Sequence, residues 1–433
     1  MKKFLLFCIS LLVLFSSFSC KNGTDNLSTS TSIPTSTMII PTIDVPPTPT
    51  GPTPTPNISG VLPEQEVKIV DINIDGNTAT AQNRASGLIS TIISYEPDSI
   101  GVQESRDNWN TIMTSALSPI YGREGTAADG QINSRTALSS YIYYNKLKYN
   151  VVDSGTFWLS KTPYRPSIYG STVDCNRTCV WVILEHKYTK FRYVHMSTHL
   201  DWMDKEATRF QVSLIRDQIK CFEKMGLPVF AGGDFNTSEN TTAYKEMFKV
   251  EGIANAKYVA AKTMNLGTYP DYGKNDVTKS SPIDHVFVTE KMMDVIEYKV
   301  IDEKPDGQYF SDHNGLFVHA KIHSMPDSYM HAKAPDISGL AFSIEYSDKT
   351  ATASFEQPQH SAPYDTYKIH ITDRLDRNIL ITEIHAKYLN ESTISFTINN
   401  KLSQGATYHV KVTATDTFGL QDTYEFEFTV PQK

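Results

Sequence analysis

The sequence predicts an α+β layered domain followed by a small all-β sandwich. Between about residues 61 and 325, short apolar runs such as "VKIVDIN" and "PVFAGGDFN" are interleaved with a few helical stripes. From residue 335 to residue 433, apolar and polar residues alternate and no helical stripe appears. A period near 3.6 is typical of helices, whereas a period of two is typical of half-buried strands. A chain of 433 residues is also long enough for two domains.

The first 60 residues are expected to lie outside both domains. Residues 1–20 combine two lysines with an apolar run that is too short to span a membrane, which is typical of a secretory signal. The segment resembles a bacterial lipoprotein signal in which Cys20 becomes lipidated, with plain secretion as the alternative because Phe18 stands where a small residue is usual. Residues 21–60 are rich in Thr, Ser and Pro and predict an extended linker. We therefore expect an extracytoplasmic protein, either lipid-anchored to the membrane or secreted.

The charge of the chain argues against binding nucleic acid through many phosphate contacts. The formal net charge is −8, and no segment forms a basic stripe. A phosphate site centred on a metal ion remains compatible with this charge, because the ion supplies its own positive charge.

The cysteines leave one question open. Cys175 and Cys179, in "DCNRTC", are close enough in sequence to form a disulfide in a loop, which an extracytoplasmic location permits. Two free thiols are the alternative, and a zinc site is less well supported because no second Cys/His pair has matching spacing.

The segment 204–226 predicts the longest helix. Its apolar face is expected to comprise Ala207, Phe210, Leu214 and Cys221.

Polar side chains recur where the predicted strands begin or end. A single polar strand end indicates an ordinary turn. Six such strand ends, rich in carboxylate, amide and imidazole groups, indicate one convergent site at a sheet edge. The eight candidate residues at these six ends are Asn73, Glu104, His199, Asp234, Asn236, Asp284, Asp312 and His313.

Such a set supports hydrolysis of a phosphoester. Glu104 and Asn73 supply the oxygen ligands that a hard divalent cation prefers. The cation neutralises the phosphate and stabilises charge on the leaving oxygen. Asp234 is the candidate for orienting or deprotonating water, and His313, held by Asp284, is the candidate for binding the phosphoryl oxygens. Magnesium is the expected ion, with manganese and calcium as alternatives.

Seven short motifs occur in a characteristic order between about residues 64 and 323. They are "IVDIN", "PDSIGVQE", "SGTFWLS", "STHLDW", "GGDFN", "PIDHVFV" and "SDHNG". This series resembles that of the endonuclease/exonuclease/phosphatase superfamily, the fold of pancreatic-type deoxyribonuclease. Within it, the chain is similar to a bacterial secreted group. The resemblance implies a four-layer α/β/β/α sandwich of two mixed sheets over residues 61–325.

The resemblance also implies roles for individual residues. Metal ligation falls to Asn73, Glu104 and Asp312, and catalysis to His199, Asp234, Asn236, Asp284 and His313. Arg177 matches a substrate-contacting arginine, with a plain surface arginine as the alternative. Tyr143, in "SYIYYN", either lines the cleft and contacts substrate or packs in the core. The chain departs from the pattern at Trp202, where this group often has His, and at Asp71, where Thr is common.

These observations predict an extracytoplasmic, metal-dependent phosphoesterase acting on a phosphodiester in nucleic acid or a related substrate. Phospholipid head groups are the alternative substrate. A non-catalytic surface-binding protein is a further alternative, which the retention of every catalytic position disfavours. The segment "YHVKVTATDTFG" resembles the penultimate strand of fibronectin type III domains. For the C-terminal domain we expect contact with glycan or protein at a cell surface, or a spacer role.

Overall fold

The computed structural model describes residues 61–131, 137–173, 175–326, 334–347, 350–360, 364–386, 389, 392–399, 402–416 and 421–432. The predicted signal segment, Cys20 and the linker at residues 21–60 lie outside the described residues. Among the residues described, no helix is both long enough and apolar enough to cross a membrane.

The first domain contains a six-stranded mixed sheet. In spatial order the strands are β10 (Ile253–Asn255), β12 (Asp284–Thr289), β9 (Val229–Asp234), β8 (Arg192–His199), β7 (Thr178–His186) and β6 (Tyr149–Trp158). Only β8 and β9 run parallel, and the other neighbours in this sheet are antiparallel.

A seven-stranded mixed sheet faces it. In spatial order the strands are β11 (Lys262–Thr263), β13 (Met293–Ile301), β14 (Gly315–Ile322), β2 (Gln65–Asn73), β3 (Ser99–Ser105), β5 (Ser139–Asn145) and β4 (Tyr121–Glu124). The parallel pairs are β2 with β3 and β11 with β13. A short antiparallel pair joins β1 (Val61–Leu62) to β15 (Met325–Pro326).

Helices cover the outer face of each sheet. The seven-stranded sheet packs against α1 (Thr78–Ser94) and α2 (Asp107–Leu117), and the six-stranded sheet packs against α3 (Lys205–Lys224) and α4 (Thr242–Glu246). A single turn, α5 (Ala256–Val259), follows β10. Further 3₁₀ turns span Met247–Lys249, Asp271–Gly273, Glu290–Met292 and Pro305–Gly307.

Strand alternation divides the apolar residues among three cores. Ile69 and Val70 are neighbours in β2, yet Ile69 lies in the core between the sheets and Val70 lies in the core beneath α1 and α2. A third core separates the six-stranded sheet from α3. The layers are therefore helix, sheet, sheet and helix, which confirms the predicted fold class.

The buried face of α3 differs from the predicted one. The helix buries Gln211, Val212, Ile215, Ile219 and Phe222 together with the correctly predicted Ala207. Gln211 is buried although it is polar, and its Oε1 accepts a hydrogen bond from the Asp201 N–H at 2.8 Å. Phe210 instead packs against Tyr169, with ring centroids 4.7 Å apart, and Cys221 is only half-buried.

The second domain is a sandwich of two antiparallel sheets. One sheet has the order β16 (Phe342–Ser347), β17 (Thr350–Glu356), β20 (Thr393–Asn399). The other has the order β19 (Asn378–Ile384), β18 (Tyr364–Asp373), β21 (Thr407–Asp416), β22 (Gln421–Thr429). Side chains of both sheets share one apolar core, in which the rings of Phe355 and Tyr367 lie 5.0 Å apart. The predicted all-β sandwich is confirmed.

Candidate active site

Register brings the predicted strand-end residues to one edge of the two sheets. His199 at the end of β8 pairs with Asp234 at the end of β9, and Asp234 pairs with Asp284 at the start of β12. On the facing sheet, Asn73 ends β2 beside the end of β3, which carries Glu104. The two sheets therefore present these polar groups to one another.

The two glycines before Asp234 have separate structural reasons. Gly233 has a φ of +143°, and a Cβ on it would collide with the carbonyl oxygen of Thr198 on the neighbouring strand. A Cβ on Gly232 would instead press on the buried Asp71 side chain between the sheets. Only glycine therefore lets β9 deliver Asp234 to this position.

Asn73 joins the two sheets at the site. Its Nδ2 donates to Glu104 Oε1 at 3.0 Å and to Asp234 Oδ2 at 3.0 Å. Its Oδ1 accepts from the Asp75 N–H at 3.1 Å. Asn73 therefore orients the carboxylates of Glu104 and Asp234 through its Nδ2. Its Oδ1, the atom predicted to ligate the metal, accepts a hydrogen bond from the backbone of Asp75.

Glu104 projects into the site from a strained turn. Its φ of +62° lies in the left-handed region, and the pairing of β3 with β5 shifts between Val102 and Ser105. A bulge of this kind re-aims a side chain at a strand end. The Gly76 N–H donates to Glu104 Oε2 at 2.9 Å, and so the loop after β2 fixes the carboxylate.

His313 forms the centre of a buried carboxylate–imidazole–carboxylate arrangement. Its Nδ1 lies 2.9 Å from Asp284 Oδ2, and its Nε2 lies 3.7 Å from Asp234 Oδ2. Burial acts to lower the pKa of His313, but the charges of Asp284 and Asp234 outweigh it and hold that pKa well above the usual value. His313 is therefore a cation with both ring N–H groups available as donors.

His199 is held in the opposite protonation state. Its Nε2 lies 3.4 Å from Asp234 Oδ2. Burial, the charge of Arg177 and the charge of His313 hold the pKa of His199 well below its usual value. Burial and the charge of Asp284 raise the pKa of Asp234 to about 6. Neighbouring groups whose pKa values are pushed apart in this way suit separate acid and base roles.

Carboxylates crowd the other side of the site. Burial and the nearby charges of Glu104, Asp75 and Asp234 raise the pKa of Asp312 to about 7, although His313 opposes this. A divalent cation would relieve the repulsion, and its preferred ligands are oxygens. Glu104 and Asp312 therefore fit the predicted ion.

A second group also has the spacing of a metal site. The ligand atoms of Asp234, Asp284 and His313 all lie within 4.8 Å of one another. The Nδ1 of His313 is hydrogen-bonded to Asp284, and its Nε2 faces Asp234 at 3.7 Å, and so the geometry suits an imidazolium paired with two carboxylates better than ligation through the imidazole.

Arg177 and Asn236 lie at the edge of this arrangement. Arg177 is only 7% exposed, and its Nε lies 3.9 Å from Asp201 Oδ2. Its influence on His199 places its charge at the site. The Asn236 N–H donates to Asp234 Oδ1 at 2.9 Å, and the Asn236 Nδ2 donates to the Leu200 carbonyl at 3.0 Å. Asn236 thus ties Asp234 to the residue that follows β8.

The structure corrects the prediction that Tyr143 contacts substrate. Tyr143 is 1% exposed and lies in the core beneath α1 and α2, with its hydroxyl 3.4 Å from Thr114 Oγ1. The neighbouring Ile142 faces the core between the sheets instead. Alternation along β5 therefore directs Tyr143 away from the site, and the core alternative holds.

Cys175 and Cys179 are not joined by a disulfide. Cys179 belongs to β7, and its side chain is fully buried in the core against α3, whereas Cys175 lies in the loop before the strand. The structure therefore does not contain the loop disulfide that the sequence spacing allows.

Tyr269 was missed by the sequence analysis. Its ring centroid lies 4.9 Å from that of His313. Burial, followed by the charges of Asp312, Asp271, Asp234 and Glu104, raises the pKa of Tyr269 to about 12. The residue lies in the loop "GTYPDYG", between β11 and β12, where no strand end or periodic pattern marks it.

Residues 72–313 match the Endonuclease/Exonuclease/phosphatase family, and this span is more than half of the 433-residue chain. The chain belongs to this family. Members of the family are typically hydrolases of phosphoester bonds and generally depend on a divalent cation. No curated protein matches the chain.

Solved structures support the assignment to the Endonuclease/Exonuclease/phosphatase family. A family protein from Bacteroides vulgatus is 27% identical, with a TM-score of 0.54, and the match covers 60% of this chain and 100% of that one. A family protein from Bacteroides thetaiotaomicron is 25% identical, with a TM-score of 0.53, and the match covers 60% and 98%. A mannosyl-6-phosphatase from Bacteroides thetaiotaomicron shares the fold at 24% identity, with a TM-score of 0.53 and coverage of 59% and 99%.

Proposed function

We propose that this chain is an extracytoplasmic, metal-dependent phosphoesterase that hydrolyses a phosphodiester in nucleic acid or a related substrate. The observation that carries the proposal is the buried arrangement in which Asp284 and Asp234 flank His313. Asn73 connects the same Asp234 to Glu104 on the facing sheet. A general base, a cationic donor and an oxygen-rich cation site thus meet at one place.

Asp234 is proposed to orient the attacking water and accept its proton. Its Oδ1 is occupied by the Asn236 N–H, while its Oδ2 faces the side chains of Asn73, His199 and His313. A pKa raised to about 6 lies close to neutral pH, which suits a general base.

The two histidines are proposed to act on the phosphoryl group in different ways. Asp284 accepts from the Nδ1–H of His313, and this leaves the Nε2–H of the imidazolium for a phosphoryl oxygen or for Asp234. His199 is neutral and can donate one N–H to the phosphate or the leaving group. Arg177 adds positive charge beside it.

Glu104 and Asp312 would hold the cation, with Asn73 as a further candidate ligand through its oxygen. When bound, the ion would neutralise phosphate charge and stabilise the leaving oxygen. Asn73 would hold the carboxylates of Glu104 and Asp234 at fixed positions relative to one another through its two hydrogen bonds.

The charge balance at the site supports a need for the cation. The cations Arg177 and His313 face the carboxylates of Glu104, Asp234, Asp284 and Asp312. An anionic phosphoester would therefore meet net negative charge unless a divalent cation added its own positive charge.

A substrate panel tests the proposal directly. The purified chain would be assayed on duplex DNA, single-stranded RNA, sphingomyelin, a phosphoinositide, bis(4-nitrophenyl) phosphate and 4-nitrophenyl phosphate, each with Mg²⁺, Mn²⁺, Ca²⁺ or EDTA. We expect hydrolysis of diesters that EDTA abolishes. Preference for the lipids would support the head-group alternative, and inactivity on every substrate would support a non-catalytic binding protein.

The N-terminal segment and the second domain complete the proposal. The signal-like residues 1–20 support export, with lipidation of Cys20 as the anchor. Loss of fatty-acid labelling and of membrane association in Cys20→Ser would support the anchor, whereas an unchanged distribution would contradict it.

The three-plus-four strand order of the C-terminal sandwich supports a fibronectin type III-like module that contacts glycan or protein at a surface.

A further inference from the structure

Arg84 is a buried arginine that none of the proposed catalytic steps uses. It lies in the second turn of α1, and only 8% of the residue is exposed. A guanidinium carries five N–H donors in a fixed planar arrangement. Burial of such a group is costly unless its donors and its charge are satisfied.

All five donors of Arg84 have acceptors. Nη1 donates to the carbonyls of Ile74 and Phe310, both at 2.7 Å. Nη2 donates to the carbonyls of Asp75 at 2.9 Å and Asn77 at 3.3 Å. Nε donates to Thr80 Oγ1 at 2.9 Å. Four of the five acceptors are therefore backbone carbonyls of two separate loops.

The first of these loops holds two residues of the site. It spans residues 74–77, directly after Asn73. The Asp75 N–H donates to Asn73 Oδ1 at 3.1 Å, and the Gly76 N–H donates to Glu104 Oε2 at 2.9 Å. The Asp75 N–H shares a planar peptide unit with the Ile74 carbonyl, and the Gly76 N–H shares one with the Asp75 carbonyl. Because Arg84 holds both carbonyls, the guanidinium determines where the two N–H groups point.

The second loop carries Asp312 and His313. Phe310, whose carbonyl accepts from Arg84, is followed by Ser311, whose Oγ donates to the Asn73 carbonyl at 2.7 Å. A movement of Phe310 would therefore also move His313 relative to Asn73. Arg84 connects the cation side of the site to the histidine side.

Two further contacts fix the guanidinium itself. It lies over the ring of Trp109, 5.0 Å from the centroid, and its Nη2 lies 3.4 Å from Asp75 Oδ2. The Trp109 Nε1–H donates to the same Asp75 carbonyl at 3.0 Å. Lysine has three donors on a flexible stem, and it cannot reproduce a planar arrangement of five.

We propose that Arg84 is a positioning residue that sets Glu104 and Asn73 relative to Asp312 and His313, and thereby sets the affinity of the site for its divalent cation. The proposal rests on the proposed metal-dependent function. Arg84 acts through the two loops and contacts neither substrate nor reacting atoms.

The test compares Arg84→Lys with Arg216→Lys in the full chain. Arg216 is also largely buried and also connects two elements, since its Nη1 donates to the carbonyl and to Oε1 of Glu246, which places it between α3 and α4 and away from the site. Thr80→Val is a milder variant that removes the acceptor of Nε together with the hydrogen bond that Thr80 Oγ1 donates to the Asn77 carbonyl at 3.3 Å. Mn²⁺ alone is titrated into each protein without substrate, and thermal stability, kcat and KM are measured alongside.

We expect Arg84→Lys to bind Mn²⁺ about tenfold or more weakly, in the range found when partners of metal ligands are removed. We also expect a lower kcat, a smaller effect of the same sign in Thr80→Val, and wild-type Mn²⁺ affinity in Arg216→Lys. Unchanged Mn²⁺ affinity in a folded Arg84→Lys, or in Thr80→Val if the lysine variant does not fold, would overturn the proposal. Wild-type protein that binds Mn²⁺ but hydrolyses no phosphoester would contradict the proposed function and leave this comparison intact.

Discussion

Asp284 Oδ2 lies 2.9 Å from the Nδ1 of His313, and Asp284 is also the strand partner of Asp234. One carboxylate thus orients the imidazole and determines its charge, because the charge of Asp284 is the main influence raising the pKa of His313 against burial. The charge of Asp284 also raises the pKa of Asp234. The protonation states of both groups therefore depend on this residue.

Replacing Asp284 tests that dependence. Asp284→Asn retains an oxygen acceptor but removes the charge, and we expect kcat to fall by about a hundredfold or more, the scale of a general acid–base contribution. The exposed Asp294, which pairs with His323 on the surface, supplies the matched control Asp294→Asn. Steady-state kinetics that agree for the two variants would contradict the role of Asp284.

Gly76 provides a test of how Glu104 is placed. A Cβ at this position would press on the Glu104 carbonyl oxygen and on Leu138, and so Gly76→Ala must displace the loop that holds the Glu104 carboxylate. We expect weaker Mn²⁺ binding by calorimetry and lower activity that additional metal partly restores. Gly339→Ala is the control, since nothing lies within 4 Å of a Cβ there. Equal Mn²⁺ affinities in the two variants would show that the loop does not position the ligand.

His285 predicts an acid dependence of stability. Its Nε2 lies 2.8 Å from the Thr237 carbonyl and its Nδ1 lies 3.3 Å from Asn255 Nδ2, contacts that a neutral imidazole satisfies. Burial lowers the pKa of His285 from 6.5 to about 4. Between pH 6.5 and about 4, His285 is protonated in the unfolded state but neutral in the folded state. The free energy of unfolding is therefore highest above pH 6.5 and falls by up to roughly 3 kcal/mol as the pH drops towards 4.

Urea unfolding at a series of pH values measures this effect. His285→Asn should be less stable at neutral pH but should lose less stability than wild type on acidification. His323→Asn, at a half-buried position outside the core, should keep the wild-type dependence. If all three proteins showed the same slope of unfolding free energy against pH, His285 would not be the group that titrates.

Every described residue of the site lies between Asn73 and His313, within the first domain. A chain ending at residue 334 should therefore hydrolyse bis(4-nitrophenyl) phosphate with unchanged kcat/KM. A large loss, in a truncated protein whose circular dichroism and melting are intact, would mean that the second domain helps to form the site.

The residues that could be predicted are those whose position follows from strand ends. Asp234, Asp284 and His199 come together because the two neighbouring strand pairs place them in direct register. The two glycines before Asp234 stand in the motif "GGDFN", but the reason for them is the collision of a Cβ with Thr198 on the neighbouring strand and with Asp71 on the facing sheet, which only the structure shows.

The residues that could not be predicted depend on facts that a single sequence does not carry. "SYIYYN" is aromatic on both faces, and so its pattern does not reveal that Tyr143 faces the helices. Arg84 acts through backbone carbonyls, which have no sequence signature, and Tyr269 reaches His313 from a loop. The face of α3 was misassigned because Gln211 is buried, with its Oε1 accepting from the Asp201 N–H, a contact that the helical pattern does not reveal.

The turnover of Asp234→Asn on a phosphodiester with saturating Mg²⁺ tests the central claim most directly. Both oxygens of Asp234 accept hydrogen bonds, one from the Asn236 N–H and one from Asn73 Nδ2, and so an asparagine must turn its NH2 group towards one of these donors. The melting temperature of the variant is therefore measured alongside its turnover. We expect kcat/KM to fall by about a hundredfold or more while the protein remains folded. Near-normal turnover in the folded variant would contradict the assignment of Asp234 as the base and, with it, the proposed phosphoesterase site.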